Sequence, residues 1–259
     1  MIGLLRARLR QGHRTIAFPD GVAPALPARF RGHPVLAPAR CEDGCSACAA
    51  ACPTGAIRLE PALGVDLGRC LFCAECAEAC PTGALTFGVD PRLAARRRED
   101  LLVDEQRAVR LASALDAASL RLFGRSLRLR QVSAGGCNGC EAEVNVLSTI
   151  VWDIGRFGVQ IVASPRHADG LIVTGPVTGN MRLALRKTWE AVPPPKLVIA
   201  VGACAISGGP YAAHPETHGG ADAEVPVDLY VPGCPPHPLT LLDGLLRLLG
   251  RLASDRERR

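Results

Sequence analysis

A repeated cysteine pattern near the start of the chain constrains its fold more than any other feature. The sequence holds 12 cysteines in 259 residues, and eight of them lie between residues 41 and 80. The two halves of this segment read CEDGCSACAAACPTGAI and CLFCAECAEACPTGAL, with one extra residue between the first two cysteines of the first half. Cysteines at such short intervals wrap a tight loop around an inorganic core. So many cysteines without a secretory signal also favour metal ligation in a reducing compartment over disulfides.

The repeat resembles a bacterial-type ferredoxin that carries two 4Fe–4S clusters. In such ferredoxins the last cysteine of each half, which precedes proline, ligates the cluster of the other half. For the first cluster, the resemblance implies Cys41, Cys45, Cys48 and Cys80 as ligands. For the second cluster, it implies Cys70, Cys73, Cys76 and Cys52. Structural zinc sites, the alternative, also use cysteine pairs, but they close at four ligands and rarely show this doubled Cys-Pro pattern.

Four segments divide the chain. Residues 1–40, a short amphipathic stretch and then a proline-rich run, are expected to form an extended N-terminal arm, and residues 41–88 form the ferredoxin domain. Residues 89–126 are charged and have a helical pattern, which predicts a helical linker. Residues 127–259 alternate apolar strands with glycine-rich loops. The predicted fold is an α+β ferredoxin-like two-cluster domain followed by an α/β, flavodoxin-like domain with a parallel sheet.

The other four cysteines follow predicted strands of the second domain. Strands are predicted at residues 127–132, 160–163, 170–174, 197–201 and 228–231. The first, fourth and fifth strands lead into the loops SAGGCNGCE, GACAISGG and VPGCPPHP. Because loops at the carboxyl ends of parallel strands converge, these cysteines can meet around one cluster. Nucleotide binding is disfavoured, since no G-x-G-x-x-G follows a strand and there is no Walker A motif.

A second resemblance covers residues 127–252. The runs CNGCEAE, SPRHADGLIVTGPVTGNM, GACAISGG and VPVDLYVPGCPP resemble, in this order, the small subunit of complex-I-like nickel–iron hydrogenases (group 4, formate-hydrogenlyase type). The homologous 20 kDa-type subunit of respiratory complex I carries its first two ligands as adjacent cysteines, whereas this chain has Cys137-x-x-Cys140, the hydrogenase-like form. The resemblance implies a third, proximal 4Fe–4S cluster on Cys137, Cys140, Cys204 and Cys234.

The combined resemblances imply an electron-transfer subunit with three 4Fe–4S clusters. In the hydrogenase family the nickel–iron site lies on two Cys-x-x-Cys pairs of a separate large subunit, and here every cysteine already has a cluster. The implied partners are that large subunit and an electron donor: a formate or carbon monoxide dehydrogenase module, or a soluble ferredoxin. The alternatives are a nickel-free, complex-I-like oxidoreductase that reduces quinone or another acceptor, and a stand-alone electron carrier.

Two glutamates near the third cysteine group are candidates for moving protons. In the hydrogenase family a glutamate near this motif is linked with proton movement at the subunit interface, which implies Glu143, with Glu141 as the other candidate. The ordinary alternative is a carboxylate stabilised at a helix N-terminus. The resemblance also suggests that Arg166 contacts the partner subunit, while Thr178 and Asn180 shape either the surroundings of the cluster or the interface with the large subunit.

Composition narrows the remaining function classes. Aromatic residues make up 4% of the chain and its arginines are scattered, which disfavours nucleic-acid binding. We find neither a transmembrane span nor a secretory signal in the sequence. The expected location is the cytoplasm, with peripheral attachment to the inner face of the cytoplasmic membrane through partner subunits.

Overall fold

The computed structural model describes residues 2–22, 24–106 and 108–252. The last seven residues of the predicted 127–259 domain therefore lie outside the described residues. The amphipathic stretch at the start forms helix α1 (Ile2–Gln11). The proline-rich run that follows is irregular up to strand β1 (Pro34–Leu36) and a 3-10 helix at Pro38–Arg40. The end of the predicted arm therefore joins a sheet.

The ferredoxin region is built from two short helices and two small sheets. Strand β1 pairs antiparallel with β4 (Leu85–Phe87), and β2 (Ile57–Arg58) pairs with β3 (Gly64–Asp66). Helices α2 (Ala47–Ala50) and α3 (Glu75–Glu78) occupy equivalent places in the two halves of the repeat. Each helix buries one cysteine, Cys48 in α2 and Cys76 in α3, so each half points a thiol inward.

Residues 89–126 contain less helix than their pattern predicts. Residues Arg98–Leu101 form a 3-10 helix, and strand β5 (Leu102–Asp104) pairs with β3 as the third strand of its sheet. Leu101 and Val103 are buried on either side of the half-buried Leu102, which is the period of a strand. Helix α4 (Ala117–Phe123) begins where the Asp116 carboxylate accepts hydrogen bonds from the backbone N–H groups of Ala118 and Ser119.

The C-terminal domain contains a five-stranded parallel sheet with the order β10-β9-β8-β6-β7. The strands are β6 (Leu127–Ser133), β7 (Val159–Ile161), β8 (Gly170–Thr174), β9 (Leu197–Val201) and β10 (Leu229–Val231). All five predicted strands are confirmed to within two residues at each end. Strands β8 and β9 are buried throughout, as expected for a parallel sheet covered on both faces.

Four helices accompany this sheet: α5 (Gly139–Val146), α6 (Gly179–Ala191), α7 (Ala203–Ser207) and α8 (Pro238–Leu248). All residues of α8 are buried, and its Asp243 and Arg247 form an ion pair at 2.8 Å, which offsets the cost of burying both charges. No helix in the described part of the chain is both long and apolar enough to cross a bilayer.

The segment between the ferredoxin region and the sheet domain contacts both of them, the sheet domain through Ala95 and the ferredoxin region through Arg98. Ala95 and Tyr230 exchange two backbone hydrogen bonds, at 3.0 and 2.9 Å. Arg98 forms a bidentate ion pair with Asp66, at 2.8 and 2.7 Å. One apolar core continues across the boundary and includes Leu67 on one side and Ile206 on the other. These contacts set the distance between the cysteine loops of the two parts.

Candidate metal centres

Four cysteines of the C-terminal domain meet at the carboxyl edge of its sheet. Cys137 and Cys140 follow β6, Cys204 lies in α7 after β9, and Cys234 follows β10. All four line one cavity of about 110 Å³. Cys204 is buried and Cys140 half-buried, whereas Cys137 and Cys234 are exposed. The predicted convergence of the three loops is therefore present in the structure.

The protonation of these thiols depends on their burial and on each other. Burial raises the pKa of Cys204 to about 11, and negative charge on Cys234 and Cys137 raises it as well. Burial likewise raises the pKa of Cys140 far above the usual range, with further contributions from Cys204 and Cys234. Four thiolates this close together repel one another, so they need a cationic partner such as iron at their centre.

Two glycines make room for the sulfur atoms of this group. A Cβ at Gly202, whose φ is +88°, would lie 2.5 Å from the Sγ of Cys140. A Cβ at Gly209 would lie 3.0 Å from the Sγ of Cys204. The backbone therefore passes the thiols more closely than a residue with a side chain allows. This cradle of glycines and four convergent thiols fits an inorganic cluster.

The second group lies in the ferredoxin region. Its members, which line one cavity together with Phe87 and other apolar side chains, are Cys52, Cys70, Cys73 and Cys76. Burial raises the pKa of Cys70 to about 12. A hydrogen bond from the N–H of Phe72 lowers this pKa, and the charges of the other three thiols raise it. Burial raises the pKa of Cys76 to about 11. The four thiols come from both halves of the repeat, as the ferredoxin resemblance implies.

The first group is more open to solvent. Burial and then the charges of Cys80 and Cys45 raise the pKa of Cys41. Burial also raises the pKa of Cys48, with contributions from Cys80 and Cys41. Cys41 and Cys48 therefore lie within electrostatic reach of Cys80, although Cys80 follows Cys48 by more than thirty residues, and Cys45 lies within reach of Cys41. The extra residue between Cys41 and Cys45 does not move Cys41 away from this group.

The repeated Cys-Pro-Thr-Gly-Ala motif supplies hydrogen bonds to sulfur. The repetition of the motif in the sequence indicates that it has a role, but its residue types alone do not identify that role. The N–H of Ala84 donates to Cys80 Sγ at 3.2 Å, and the Thr82 hydroxyl lies 3.9 Å from the same sulfur. Burial raises the pKa of Cys80, but hydrogen bonds from residues 82, 84 and 85 outweigh it and lower that pKa overall. The motif therefore favours a thiolate at the last cysteine of each half.

The first half repeats this arrangement with one difference. The N–H of Ala56 donates to Cys52 Sγ at 3.2 Å, and hydrogen bonds again outweigh burial and lower the pKa of Cys52. The Thr54 hydroxyl lies 3.8 Å from that sulfur, but it donates its proton to the carbonyl oxygen of Arg69 at 2.7 Å. The two threonines therefore differ in how freely they donate to sulfur.

The three groups are electrostatically linked in series. The charge of Cys48, in the first group, raises the pKa of Cys76, in the second. The charge of Cys73, in the second group, raises the pKa of Cys234, in the third. Burial is the larger cause in both cases. The second group therefore adjoins both of the others.

The two candidate glutamates occupy different surroundings. Glu141 is only 5% exposed, and its Oε1 accepts hydrogen bonds from Ser133 at 2.6 Å and from Thr174 at 2.7 Å. It braces two neighbouring strands behind the third cysteine group. Glu143 is half-buried, burial raises its pKa, and it lines a cavity of about 260 Å³ together with Cys234. Geometry therefore favours Glu143 over Glu141 for exchanging protons with the surroundings.

The other residues suggested by the resemblance are scattered. Arg166 is exposed, in a 3-10 helix at Pro165–His167. Asn180 is exposed in the first turn of α6. Thr178 lies just before that helix, and its side chain packs against Gly135 in the loop of Cys137. A Cβ added at Gly135 would lie 2.5 Å from the Thr178 side chain. Of these three residues, Thr178 is the one that the structure places against a cysteine loop.

Comparison with known proteins separates the same two parts of the chain. Residues 137–248 match the family model of the NADH ubiquinone oxidoreductase 20 Kd subunit, and residues 40–84 match the 4Fe-4S dicluster domain. A probable membrane-bound hydrogenase subunit, mbhJ of Pyrococcus furiosus, is 44% identical over 134 residues, which are 52% of this chain and 80% of that protein.

Two other relatives match at similar identity. Formate hydrogenlyase subunit 7 of Escherichia coli is 44% identical over 140 residues, 54% of this chain and 55% of that protein. An NADH-quinone oxidoreductase subunit of Clostridium beijerinckii is 43% identical over 119 residues, 46% of this chain and 70% of that protein. The chain thus spans little more than half the length of the formate hydrogenlyase subunit that it matches.

Proposed function

The chain belongs to the NADH ubiquinone oxidoreductase 20 Kd subunit family, and we propose its function on that basis. With its additional dicluster domain, the chain is an iron–sulfur oxidoreductase subunit of a hydrogenase or complex-I-like complex. We assign it to a formate-hydrogenlyase-like nickel–iron hydrogenase. In that complex it relays electrons through three 4Fe–4S clusters to or from a nickel–iron site on a separate large subunit, where protons are reduced or hydrogen is oxidised.

The observation that carries this proposal is the series of three four-thiol groups. The ligands proposed for the first cluster are Cys41, Cys45, Cys48 and Cys80. Those proposed for the second are Cys52, Cys70, Cys73 and Cys76, and those for the proximal cluster are Cys137, Cys140, Cys204 and Cys234. A 4Fe–4S cluster, when bound, gains and loses single electrons. The couplings of Cys48 to Cys76 and of Cys73 to Cys234 support an electron path in this order.

This chain tunes the path with burial and hydrogen bonds. Hydrogen bonds to ligating sulfur and the exposure of the site set the reduction potential of a cluster. Cys52 and Cys80 accept N–H hydrogen bonds from Ala56 and Ala84. Cys41 is exposed, whereas Cys70 is buried. The first group is therefore the proposed entry point for electrons from outside the chain, and the buried second group is the intermediate.

The cysteine count supports a partner subunit for the active metal. The three groups contain all 12 cysteines of the sequence, so no thiol remains for a nickel–iron site. Cys137 and Cys234 are exposed, which is what a docking face next to the proximal group requires. A formate or carbon monoxide dehydrogenase module, or a soluble ferredoxin, is the proposed donor at the opposite end.

The domain organisation is proposed to follow the sequence boundaries: an N-terminal arm at 1–40, a ferredoxin-like domain at 41–88, a linker at 89–126 and the cluster-bearing domain at 127–259. Numbered within that last domain, the strands run in the order 2-1-3-4-5, which supports its assignment as flavodoxin-like. The proposed location is the cytoplasm, on the inner face of the membrane, consistent with relatives from membrane-bound complexes.

Glu143 is the proposed proton carrier at the edge of the proximal group. It lines a cavity that also contains Cys234, His237 and Thr240. Burial raises the pKa of its carboxyl, so it holds a proton at higher pH than a solvated glutamate. A carboxyl whose pKa is raised in this way is better suited to take up and release protons during a reaction than a solvated glutamate.

The second candidate function is a nickel-free relative of complex I that reduces quinone or another acceptor. The observation in its favour is the NADH-quinone oxidoreductase relative from Clostridium beijerinckii, whose identity of 43% nearly equals that of the hydrogenase relatives. The same three-cluster path would serve this complex, so the two functions differ in the partner's active site.

Metal content and hydrogen production separate the two functions. We would purify the complex anaerobically through a tag on this chain, determine nickel and iron, and assay hydrogen evolution from reduced viologen. The hydrogenase assignment predicts about one nickel per complex together with about twelve iron atoms on this chain, three cubanes of four. The same iron content without nickel or hydrogen would reject that assignment and favour the nickel-free complex.

A further inference from the structure

Helix α1 projects an apolar stripe from the surface, and no other residue in the described part of the chain buries it. None of its ten residues, Ile2–Gln11, is buried. Ile2, Leu5 and Leu9 have the spacing i, i+3, i+7 and are 71%, 63% and 83% exposed. Residues at this spacing lie on one face of a helix, so three large apolar side chains form one exposed stripe. An apolar stripe of this kind costs free energy in water unless another apolar phase covers it.

Positive charge surrounds this stripe. Residues 2–19 contain four arginines and no acidic residue. At 100° per residue, Arg6 and Arg10 flank the stripe on one side and Arg8 flanks it on the other. Long arginine side chains can extend their charged ends away from an apolar surface while their methylene groups lie against it. The helix is therefore both apolar and cationic on the same face.

A second exposed apolar feature lies where the arm is attached. The Thr15 hydroxyl donates to the carbonyl oxygen of Ile150 at 2.8 Å, and the N–H of Ile16 donates to that of Val151 at 2.9 Å. Ile150 and Val151 are 67% and 40% exposed. Thr15 follows Gln11 by four positions, a span of at most about 14 Å, so the end of α1 stays close to this loop. Arg156, which donates to the carbonyl oxygens of Ile16 and Phe18 at 2.7 Å, fixes the attachment further.

From these contacts we propose that α1 and the Ile150–Val151 loop form a docking surface for an anionic lipid bilayer. We call this the α1 surface; its residues are Ile2, Leu5, Arg6, Arg8, Leu9, Arg10, Ile150 and Val151. A cationic amphipathic helix lies in the plane of the interface, with its apolar side among the acyl chains and its arginines at the anionic headgroups. At ten residues the helix is about 15 Å long, half the thickness of a bilayer's hydrocarbon core, so it rests on the membrane.

The charge of the α1 surface favours this occupant over a second copy of the chain. Two copies would bring the arginines of one α1 against those of the other, and like charges oppose that contact. An anionic bilayer supplies both the negative charge and the apolar phase. The inference goes beyond electron relay: the chain would then contact the membrane itself, in addition to any attachment through partner subunits.

Vesicle binding by the full-length, cluster-loaded chain tests this proposal. We would measure partitioning onto vesicles of phosphatidylcholine alone and of phosphatidylcholine with phosphatidylglycerol, by flotation under anaerobic conditions. We expect binding only to the anionic vesicles, weakened by added salt. The triple change Arg6→Gln, Arg8→Gln and Arg10→Gln should lower the partition coefficient about a hundredfold, since each arginine near an anionic surface contributes about fivefold. Leu5→Gln with Leu9→Gln should lower it at least about tenfold on vesicles of the same composition.

A matched control variant removes the same number of positive charges from residues outside the α1 surface. Arg110, Arg121 and Arg125 are exposed and lie outside the α1 surface, so their joint replacement by glutamine should leave partitioning within about twofold. Equal binding of wild type and the α1 triple variant, or no binding of wild type, would overturn the proposal. So would release of a protein subunit from the purified complex by the α1 variant without any change in vesicle binding. None of these readouts depends on nickel or hydrogen production, so this proposal and the proposed function can fail separately.

Discussion

The Ser207 hydroxyl donates a hydrogen bond of 2.9 Å to the carbonyl oxygen of Gly68. Ser207 ends helix α7, which carries Cys204, and Gly68 lies two residues before Cys70. One hydrogen bond therefore links a helix of the third cysteine group to the loop of the second. It is buttressed by the ion pair of Arg98 with Asp66, whose Oδ1 also accepts from the N–H of Gly68 at 2.9 Å.

Ser207→Ala should weaken the junction without removing a ligand. Loss of a net hydrogen bond costs about 1 kcal/mol, which lowers the melting temperature of a chain of this size by about 2–4 °C. Anaerobic calorimetry measures this change, and iron content should be unaffected. Ser126→Ala, at an exposed serine, is the control and should change the melting temperature by less than about 1 °C. Equal melting temperatures for wild type and Ser207→Ala would contradict this role of the hydrogen bond.

Gly202→Ala should remove the third cluster. The new Cβ would lie 2.5 Å from Cys140 Sγ, too close for the thiol to keep its position. Iron should fall from about twelve to about eight atoms per chain, counted as cubanes of four. Gly219→Ala is the matched control, because Gly219 also has a positive φ, +73°, but nothing within 4 Å of an added Cβ. If both variants kept the full iron content, the third site would not be the one described.

Thr82→Val should lower the reduction potential of the first cluster. The Thr82 hydroxyl lies 3.9 Å from Cys80 Sγ, and a hydrogen bond to ligating sulfur favours the reduced, more negative cluster. A net hydrogen-bond contribution of about 0.5–1.5 kcal/mol corresponds to about 20–65 mV for a one-electron couple. A potentiometric titration followed by EPR measures this shift.

Thr54→Val is the paired control for this prediction. Thr54 lies 3.8 Å from Cys52 Sγ but donates its proton to the carbonyl oxygen of Arg69, so its removal should shift the second cluster's potential less. A larger shift for Thr54→Val than for Thr82→Val would show that the hydroxyl distances do not govern the potentials. Both variants keep the N–H hydrogen bonds from Ala56 and Ala84.

Glu143→Gln should slow hydrogen turnover while leaving electron entry intact. Removing a group that transfers protons costs about 10²-fold or more in rate. Reduction of the clusters by dithionite should proceed as in wild type, because Glu143 is outside the three thiol groups. Glu141→Gln makes the opposite prediction: it weakens the hydrogen bonds from Ser133 and Thr174 and lowers stability, with normal turnover in the complex that assembles. Normal turnover in Glu143→Gln would remove it from the proton path.

The strands of the parallel sheet and the cysteine-containing loops could be predicted because their signals are local, whereas the grouping of the cysteines is implied by the two family resemblances. Strand β9, for example, is a continuous apolar run that ends directly before the loop of Cys204. Strand β5 could not be predicted in this way, because its three residues gain their conformation from pairing with β3, far away in sequence. Local periodicity over 89–126 does not report such a partner.

The surroundings of the cysteines depend on long-range packing and could not be predicted. Glu141 accepts hydrogen bonds from side chains on two different strands, a relationship set by the register of β6 against β8. The closeness of Cys73 to Cys234 follows from how the ferredoxin region packs on the sheet domain. Neither relationship leaves a periodic trace in the sequence.

The most direct test of the central claim, one path through three adjacent clusters, is the EPR spectrum of the fully reduced chain in its complex. Three paramagnetic 4Fe–4S clusters predict about three spins per chain. The second cluster should interact magnetically with both neighbours, and Gly202→Ala should remove its interaction with the third. Two spins or fewer, or three signals without mutual interaction, would contradict the account.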